Sequence, residues 1–277
     1  MIGPLIGLAI MLLSEAATLA KIEPFWSWNT PICWTGFILF ADGIVYRARG
    51  ISWIRSAPRE FTALAIASIP LWLVFEFYNL YLENWSYTGL PDNPLVRTCG
   101  YAWSFATIWP AIFEGADLFA VLRGERAGAA GWAGRAAPPA RPAHSAFAVP
   151  SIAAGAVMLA SPFLASPPVA RYLAAPVWLG FIFLLDPINA RLGAETLTRG
   201  RIVNLSVSGL LCGVLWEFWN FWSRSKWHYT VPIMERLKIF EMPVPGYLGF
   251  PAFALECFTM YVFVRRLVTR RGRPIAL

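Results

Sequence analysis

The sequence predicts an all-α, polytopic membrane protein with about eight transmembrane helices, built as two parallel four-helix repeats about a pseudo-twofold along the membrane normal. Three observations carry this prediction: an apolar composition, long apolar runs, and an internal echo between the halves. Of the 277 residues 57% are hydrophobic, 16% are aromatic and only 14% are charged, against about a quarter charged in soluble proteins. Since a bilayer core is about 30 Å thick, a crossing helix needs roughly 20 mostly apolar residues. Backbone groups in lipid must also be satisfied internally, which favours helices.

Apolar runs fall at 2–20, 31–46, 61–82, 99–122, 147–166, 173–190, 202–223 and 246–264. The first resembles a secretory signal because of "AATLAK", but it lacks a positively charged start and is expected to be a retained helix. Pro162, Pro167, Pro168 and Pro176 interrupt the fifth and sixth runs and mark kinks or a tight re-entrant turn. Basic residues then set the orientation. Sixteen of the 23, in groups after the second, fourth, sixth and eighth runs, lie on one side, which the positive-inside rule makes cytoplasmic. Both termini are therefore expected in the cytoplasm, with the chain integral to the inner membrane. The net charge of +7 reflects this asymmetry and contact with anionic lipid, so no nucleic-acid partner is implied.

Residues 123–146, rich in Ala, Gly, Pro and Arg, read as a cytoplasmic linker between repeats at 1–122 and 147–277. The repeats echo one another three times in the same order. "WTGFILFADGIVYR" at 34–47 matches "WLGFIFLLDPINAR" at 178–191; "VFEFYN" at 74–79 matches "LWEFWN" at 215–220; "GYAWSFATIWPAIFE" at 100–114 matches "GYLGFPAFALE" at 246–256.

Intramembrane carboxylates are costly and usually face protein or a water cavity. Asp42 and Asp186, each five residues before an Arg, read as helix-end ion pairs. Glu76 and Glu217 each have an Asn three residues on, Asn79 and Asn220, so carboxylate and amide share a helix face. Brought to one cavity near the external face, two such carboxylates cannot both ionise readily, and one keeps a proton usable in acid catalysis. Two readings stay open: this catalytic one, and neutral carboxyls that hydrogen-bond neighbouring helices. Glu114 and Glu256 carry the same ambiguity. Trp85, Tyr87, Trp227 and Tyr229 read as interfacial anchors, or as walls of the same cavity with π-faces open to a cation.

Only two histidines occur and no Gly-rich phosphate loop or Asp-rich diphosphate motif is present. Neither a metal nor another cofactor is implied. The four cysteines form no C-x-x-C pattern; Cys33 and Cys99 lie near external helix ends, but unpaired thiols are expected.

With its Glu-x-x-Asn face followed by Trp-x-Tyr, the sequence resembles the membrane-integral lycopene cyclase domain and related small integral-membrane terpene cyclases. That family pairs a helix-end acid with Trp-x-Tyr and a Pro-containing acidic segment opening the next helix. Here those positions are Glu76 with Trp85 and Tyr87, Glu217 with Trp227 and Tyr229, then Glu114 after Pro110 and Glu256 after Pro251. The family's Pro-Leu-Glu-Glu is replaced by "PAIFE" and "PAFALE", and each half has four apolar runs where the family has about three helices. The resemblance implies cofactor-free, redox-neutral cyclisation or isomerisation of a lipid-soluble isoprenoid, with Glu76, Glu217, Glu114 and Glu256 as acids and bases. Asn79, Asn220, Trp85, Tyr87, Trp227 and Tyr229 would contact substrate. Two other classes use the same features: a proton- or cation-coupled transporter, and an accessory subunit whose aromatic exterior contacts lipids and membrane-protein partners.

Overall fold

A computed structural model describes residues 2–125, 147–234 and 236–268. Beyond Glu125, the linker expected at 123–146 lies outside the described residues. Each predicted apolar run contains a helix: α1 (Ile2–Leu19), α2 (Phe25–Arg49), α4 (Pro58–Leu82), α5 (Pro94–Leu122), α6 (Ala148–Leu164), α8 (Ala174–Arg191), α9 (Arg199–Trp222) and α10 (Gly249–Val268). Single-turn helices α3 (Trp53–Ser56) and α7 (Pro167–Ala170) form connectors. Pro167 therefore ends α6 and opens α7, while Pro162 lies within α6.

Among the described residues, four helical stretches are long and apolar enough to cross a membrane: Pro58–Leu82, Pro94–Leu122, Arg199–Trp222 and Val244–Val268. The apolar stretches Gly3–Leu19 and Ala148–Leu164 are shorter. At 1.5 Å per residue a 17-residue helix such as α6 reaches only about 26 Å.

Packing follows the same plan in both halves. Helix α1 lies on α2 as α6 lies on α8; α5 contacts α2 and α4, while α10 contacts α8 and α9. The first of these crossings depends on paired glycines. A Cβ on Gly7 would fall 2.4 Å from the Gly36 carbonyl oxygen and 2.5 Å from the Phe40 nitrogen; on Gly155 it would fall 2.7 Å from the Gly180 oxygen and 2.5 Å from the Leu184 nitrogen. Backbones touch at both crossings, which is how helices gain contact where lipid supplies no hydrophobic drive. Between the halves α5 packs against α9. Of the crossing-length helices α5 is the most enclosed, with 78% of its apolar window buried. Polar stitches hold it there: Trp109 Nε1 donates to the Cys257 carbonyl at 2.8 Å, and Ser208 Oγ donates to the Ile112 carbonyl at 2.6 Å.

Two expectations change. The chain is mainly helical but not wholly so: β1 (Trp85–Thr88) pairs antiparallel with β2 (Lys226–Tyr229), and β3 (Lys238–Ile239) with β4 (Met242–Pro243). Asp42 and Asp186 are not partnered by the arginines five residues on. Asp42 Oδ1 accepts from the Ile54 amide at 2.9 Å and its other oxygen lies 3.7 Å from Arg55, while Asp186 Oδ1 accepts from the Leu197 amide at 2.8 Å. Each aspartate thus pins the connector that follows its helix, because an unpaired amide near the membrane is costlier than a solvated arginine. All four cysteines are free, as expected.

The glycine crossings generate a direct test. Gly7→Leu and Gly155→Leu should each lower the thermal unfolding midpoint, at a cost of about 1–3 kcal/mol or more from overpacking. Gly200→Ala, placed where a Cβ meets nothing within 4 Å, should leave the midpoint unchanged or raise it. Equal midpoints for all three variants would contradict the packing.

Candidate functional site

The Glu-x-x-Asn face resolves into a clasp. Helix α4 ends at Leu82, where Glu83 adopts a left-handed conformation (φ 49°) and donates its amide to the Asn79 carbonyl. The chain then turns back and Asn79's side chain catches it: Oδ1 accepts from the Asn84 and Trp85 amides at 2.8 and 3.2 Å, and Nδ2 donates to the Trp85 carbonyl at 2.8 Å. The second half repeats this. Asn220 Oδ1 accepts from the Trp227 amide at 2.9 Å and Nδ2 donates to its carbonyl at 2.8 Å. A carboxamide serves here because it offers a donor and an acceptor side by side, as a neighbouring strand would. The structure therefore assigns Asn79 and Asn220 a contact with backbone, and neither lines the cavity described below.

So held, β1 and β2 pair with Trp85 opposite Tyr229 and Tyr87 opposite Trp227. Because strand side chains alternate, all four rings share one face. The opposite face is polar. His228 Nε2 lies 3.0 Å from Thr88 Oγ1, while Lys226 and His228 reach Glu241 at 3.2 and 3.0 Å. Burial tends to raise the Glu241 carboxyl, but hydrogen bonds and positive charge from His228 and Lys226 outweigh it and hold the group below its ordinary value of 4.5.

The carboxylates anchor the ring face from behind. Glu76 Oε1 accepts from Trp72 Nε1 at 2.9 Å, Trp85 Nε1 at 3.3 Å and the Tyr87 hydroxyl at 2.5 Å. Glu217 Oε1 accepts from the Tyr229 hydroxyl at 2.9 Å, and Trp227 Nε1 donates to that hydroxyl at 3.1 Å. Glu217 is fully buried, and its Oε2 has no hydrogen-bond partner. Glu76 thus gathers three donors on one oxygen, while Glu217 draws on the Tyr229 hydroxyl, the Trp227 indole and the Glu241 backbone. Burial first, then the adjacent Glu76 or Glu217 charge, pushes the Tyr87 and Tyr229 hydroxyls well above their ordinary range, so both phenols remain proton donors.

In front of these rings lies a cavity of about 150 Å³ between the two halves. Trp85, Tyr87, Trp227 and Tyr229 contribute to its wall, as do Trp34, Trp72, Trp216 and Phe253. Trp72 and Trp216, on α4 and α9, touch each other in that wall with ring centroids 5.6 Å apart. These further rings are not among the residues the sequence singles out. Trp72 carried a signal, lying one helical turn before Glu76; Trp34 lay in a matched repeat segment without a polar neighbour to mark it.

The predicted acids are not all gathered here. No described hydrogen bond joins Glu76 to Glu217, and the aromatic layer separates both from the cavity. Glu114 on α5 is buried beside Asp42 and Asp117, in a cluster where Asp117 is bound by Arg49 at 3.1 Å and by Trp53 Nε1 at 3.0 Å. Glu256 is fully buried on α10, and neither oxygen of either residue has a hydrogen-bond partner. Both lie outside the cavity wall. Among the described residues no group of His, Cys, Asp and Glu is arranged to hold a metal ion. No family model matches the chain, and no curated protein or solved structure matches it either.

Two outcomes follow from the clasp and the ribbon tip. Asn220→Asp, which keeps the shape but loses the donor to the Trp227 carbonyl, should cost about 1–3 kcal/mol and speed amide exchange in 226–229. Asn79→Asp should cost less, since Asn79 is only half-buried. Because Glu241 is depressed, its stabilising contribution is complete above its unfolded value and lost as pH falls through its folded one. Proteolysis within 226–241 should accordingly accelerate below about pH 4.5; a rate that stays level as pH falls from 6 to 3 would sink this assignment.

Proposed function

We propose that the chain is an integral-membrane isoprenoid cyclase or isomerase, in which eight helices cross the inner membrane as two parallel repeats with both termini cytoplasmic. What supports the repeat is the correspondence of the two glycine crossings and the ribbon itself. Identical strands related by a twofold axis pair as these do, each Trp opposite the other half's Tyr. The basic groups support the orientation.

The chemical reading rests on one observation: a ring-walled, mainly apolar cavity whose Tyr hydroxyls are backed by carboxyl groups, Glu217 buried and Glu76 half-buried. Aromatic faces stabilise a cation that water would quench. Burial separates the roles. Glu217, fully buried, carries the proton, and Glu76, half-buried with three donors on Oε1, is the carboxylate.

Tyr229 passes its hydroxyl proton to a terminal double bond of the substrate while Glu217 returns a proton to the phenol oxygen. The C=C pair forms the new C–H bond and leaves a tertiary cation among the rings. A second double bond attacks it, closing a ring. A neighbouring C–H then loses its proton to the Tyr87 oxygen as that phenol passes its own to Glu76. One proton has moved from Glu217 to Glu76, the substrate mass is unchanged, and exchange with water restores the start.

Purified protein incubated with a linear isoprenoid polyene should therefore yield a product of equal mass in H₂O that gains one deuterium in D₂O. Glu217→Gln and Tyr229→Phe should each reduce the rate by about 10²–10⁴. A product without deuterium, or full activity in both variants, would overturn the reading.

A further inference from the structure

A second cavity of about 360 Å³ adjoins the first. The two share a wall made by Trp85, Trp178, Tyr229, Met242, Gly246 and Gly249. Beyond that wall the larger chamber is lined mainly by apolar side chains of α8, α10 and the segment between β2 and α10, including Leu179, Ile233 and Ala252. At the junction the two shared glycines let Trp178 and Met242 stand close against the backbone: a Cβ on Gly249 would fall 2.1 Å from the Trp178 ring, and one on Gly246 2.2 Å from Met242 Sδ.

Volume separates the two chambers. An apolar cavity of about 150 Å³ holds one benzene, a six-carbon ring. The first chamber is that size, and the second, at 360 Å³, scales to roughly fourteen carbons of chain.

We infer that the two chambers form one composite site, with a ring-sized reaction chamber for one chain end and a tail chamber for the rest of a linear isoprenoid of about twenty carbons. This rests on the proposed cyclase reading and adds to it a substrate length and a single reacting end. The tail chamber is the measuring element, because each apolar carbon buried there adds affinity and any carbon beyond it adds none. The Tyr229 ring faces both chambers, so a chain threaded past it presents its first carbons to the hydroxyl that Glu217 backs.

The experiment is binding of linear conjugated isoprenoid polyenes of ten, twenty and forty carbons to the full chain in lipid nanodiscs, read by tryptophan quenching. Affinity should rise from ten to twenty carbons and stay level at forty. Ala252→Trp and Leu179→Trp, on different helices and lining only the tail chamber, should each weaken the twenty-carbon probe at least about tenfold while leaving the ten-carbon probe unchanged. Retained ten-carbon binding certifies that the variant is folded. Affinity that climbs equally from twenty to forty carbons, or twenty-carbon binding unchanged in both variants, overturns the composite site. If the length pattern holds but no deuterium enters any polyene in D₂O, the chambers stand and the cyclase reading falls.

Discussion

A carboxylate set into an apolar helix must find hydrogen-bond donors inside the protein, since lipid offers none. In this chain Trp72, on the same helix, supplies one donor to Glu76, but the other donors to Glu76 and the Tyr229 hydroxyl that serves Glu217 come from the segments that follow their helices, and much of the architecture depends on that choice. To bring a Trp indole and a Tyr hydroxyl back to its carboxylate, each chain must reverse at the helix end and run alongside it. The Asn one turn beyond each Glu makes the reversal stable by pairing with the returning backbone. Two such returns, one from each half, then meet edge to edge as the β1–β2 ribbon. The ribbon is thus a consequence of satisfying two carboxylates, and it joins the halves at the site where their aromatic rings converge.

Ring placement follows from the same constraint. With the polar tips of Trp85, Tyr87 and Tyr229 drawn towards the carboxylates, their hydrocarbon faces are left to wall a cavity. Apolar surface therefore faces the space a ligand would enter, and charge sits one ring-thickness behind it. Such a layer lines the inner wall of the cavity with hydrocarbon, and the Tyr87 and Tyr229 rings belong to both arrangements. The glycine crossings at Gly7–Gly36 and Gly155–Gly180 act at a distance from this, setting how closely α2 and α8 are held by their outer neighbours.

Helix positions were legible in the sequence because apolar helices are announced by long apolar runs; every run contains a helix, and among the described residues four helical stretches are long and apolar enough to cross a membrane. The Glu-Asn pairs were legible as unusual, and their equivalence in the two halves pointed to the region where the returning segments pair. What Asn79 and Asn220 do was not legible. An amide at helical spacing from a carboxylate looks like a second ligand, and only the path of the returning chain shows that it binds backbone. The strands were missed for a related reason. Trp-x-Tyr-Thr alternates as a strand does, but four residues are too few to form one alone, and each partner lies about 140 residues away. Asp42 and Asp186 misled in the same direction, since sequence proximity favoured the arginines and the folded connectors supplied backbone amides instead.

The pairing of the two returning segments is the claim on which the rest stands, and cysteine cross-linking tests it most directly. Ser86 and His228 are cross-strand partners on the polar face of the ribbon, where opposed Cβ atoms lie about 4.5–5.5 Å apart. In a background lacking the exposed Cys99, Ser86→Cys with His228→Cys should form an intramolecular disulfide under mild oxidation in the membrane. Ser86→Cys with Thr230→Cys, displaced by two residues, should form it far more slowly. Equal rates for the two pairs, or no cross-link in either, would contradict a fixed antiparallel clasp between the halves.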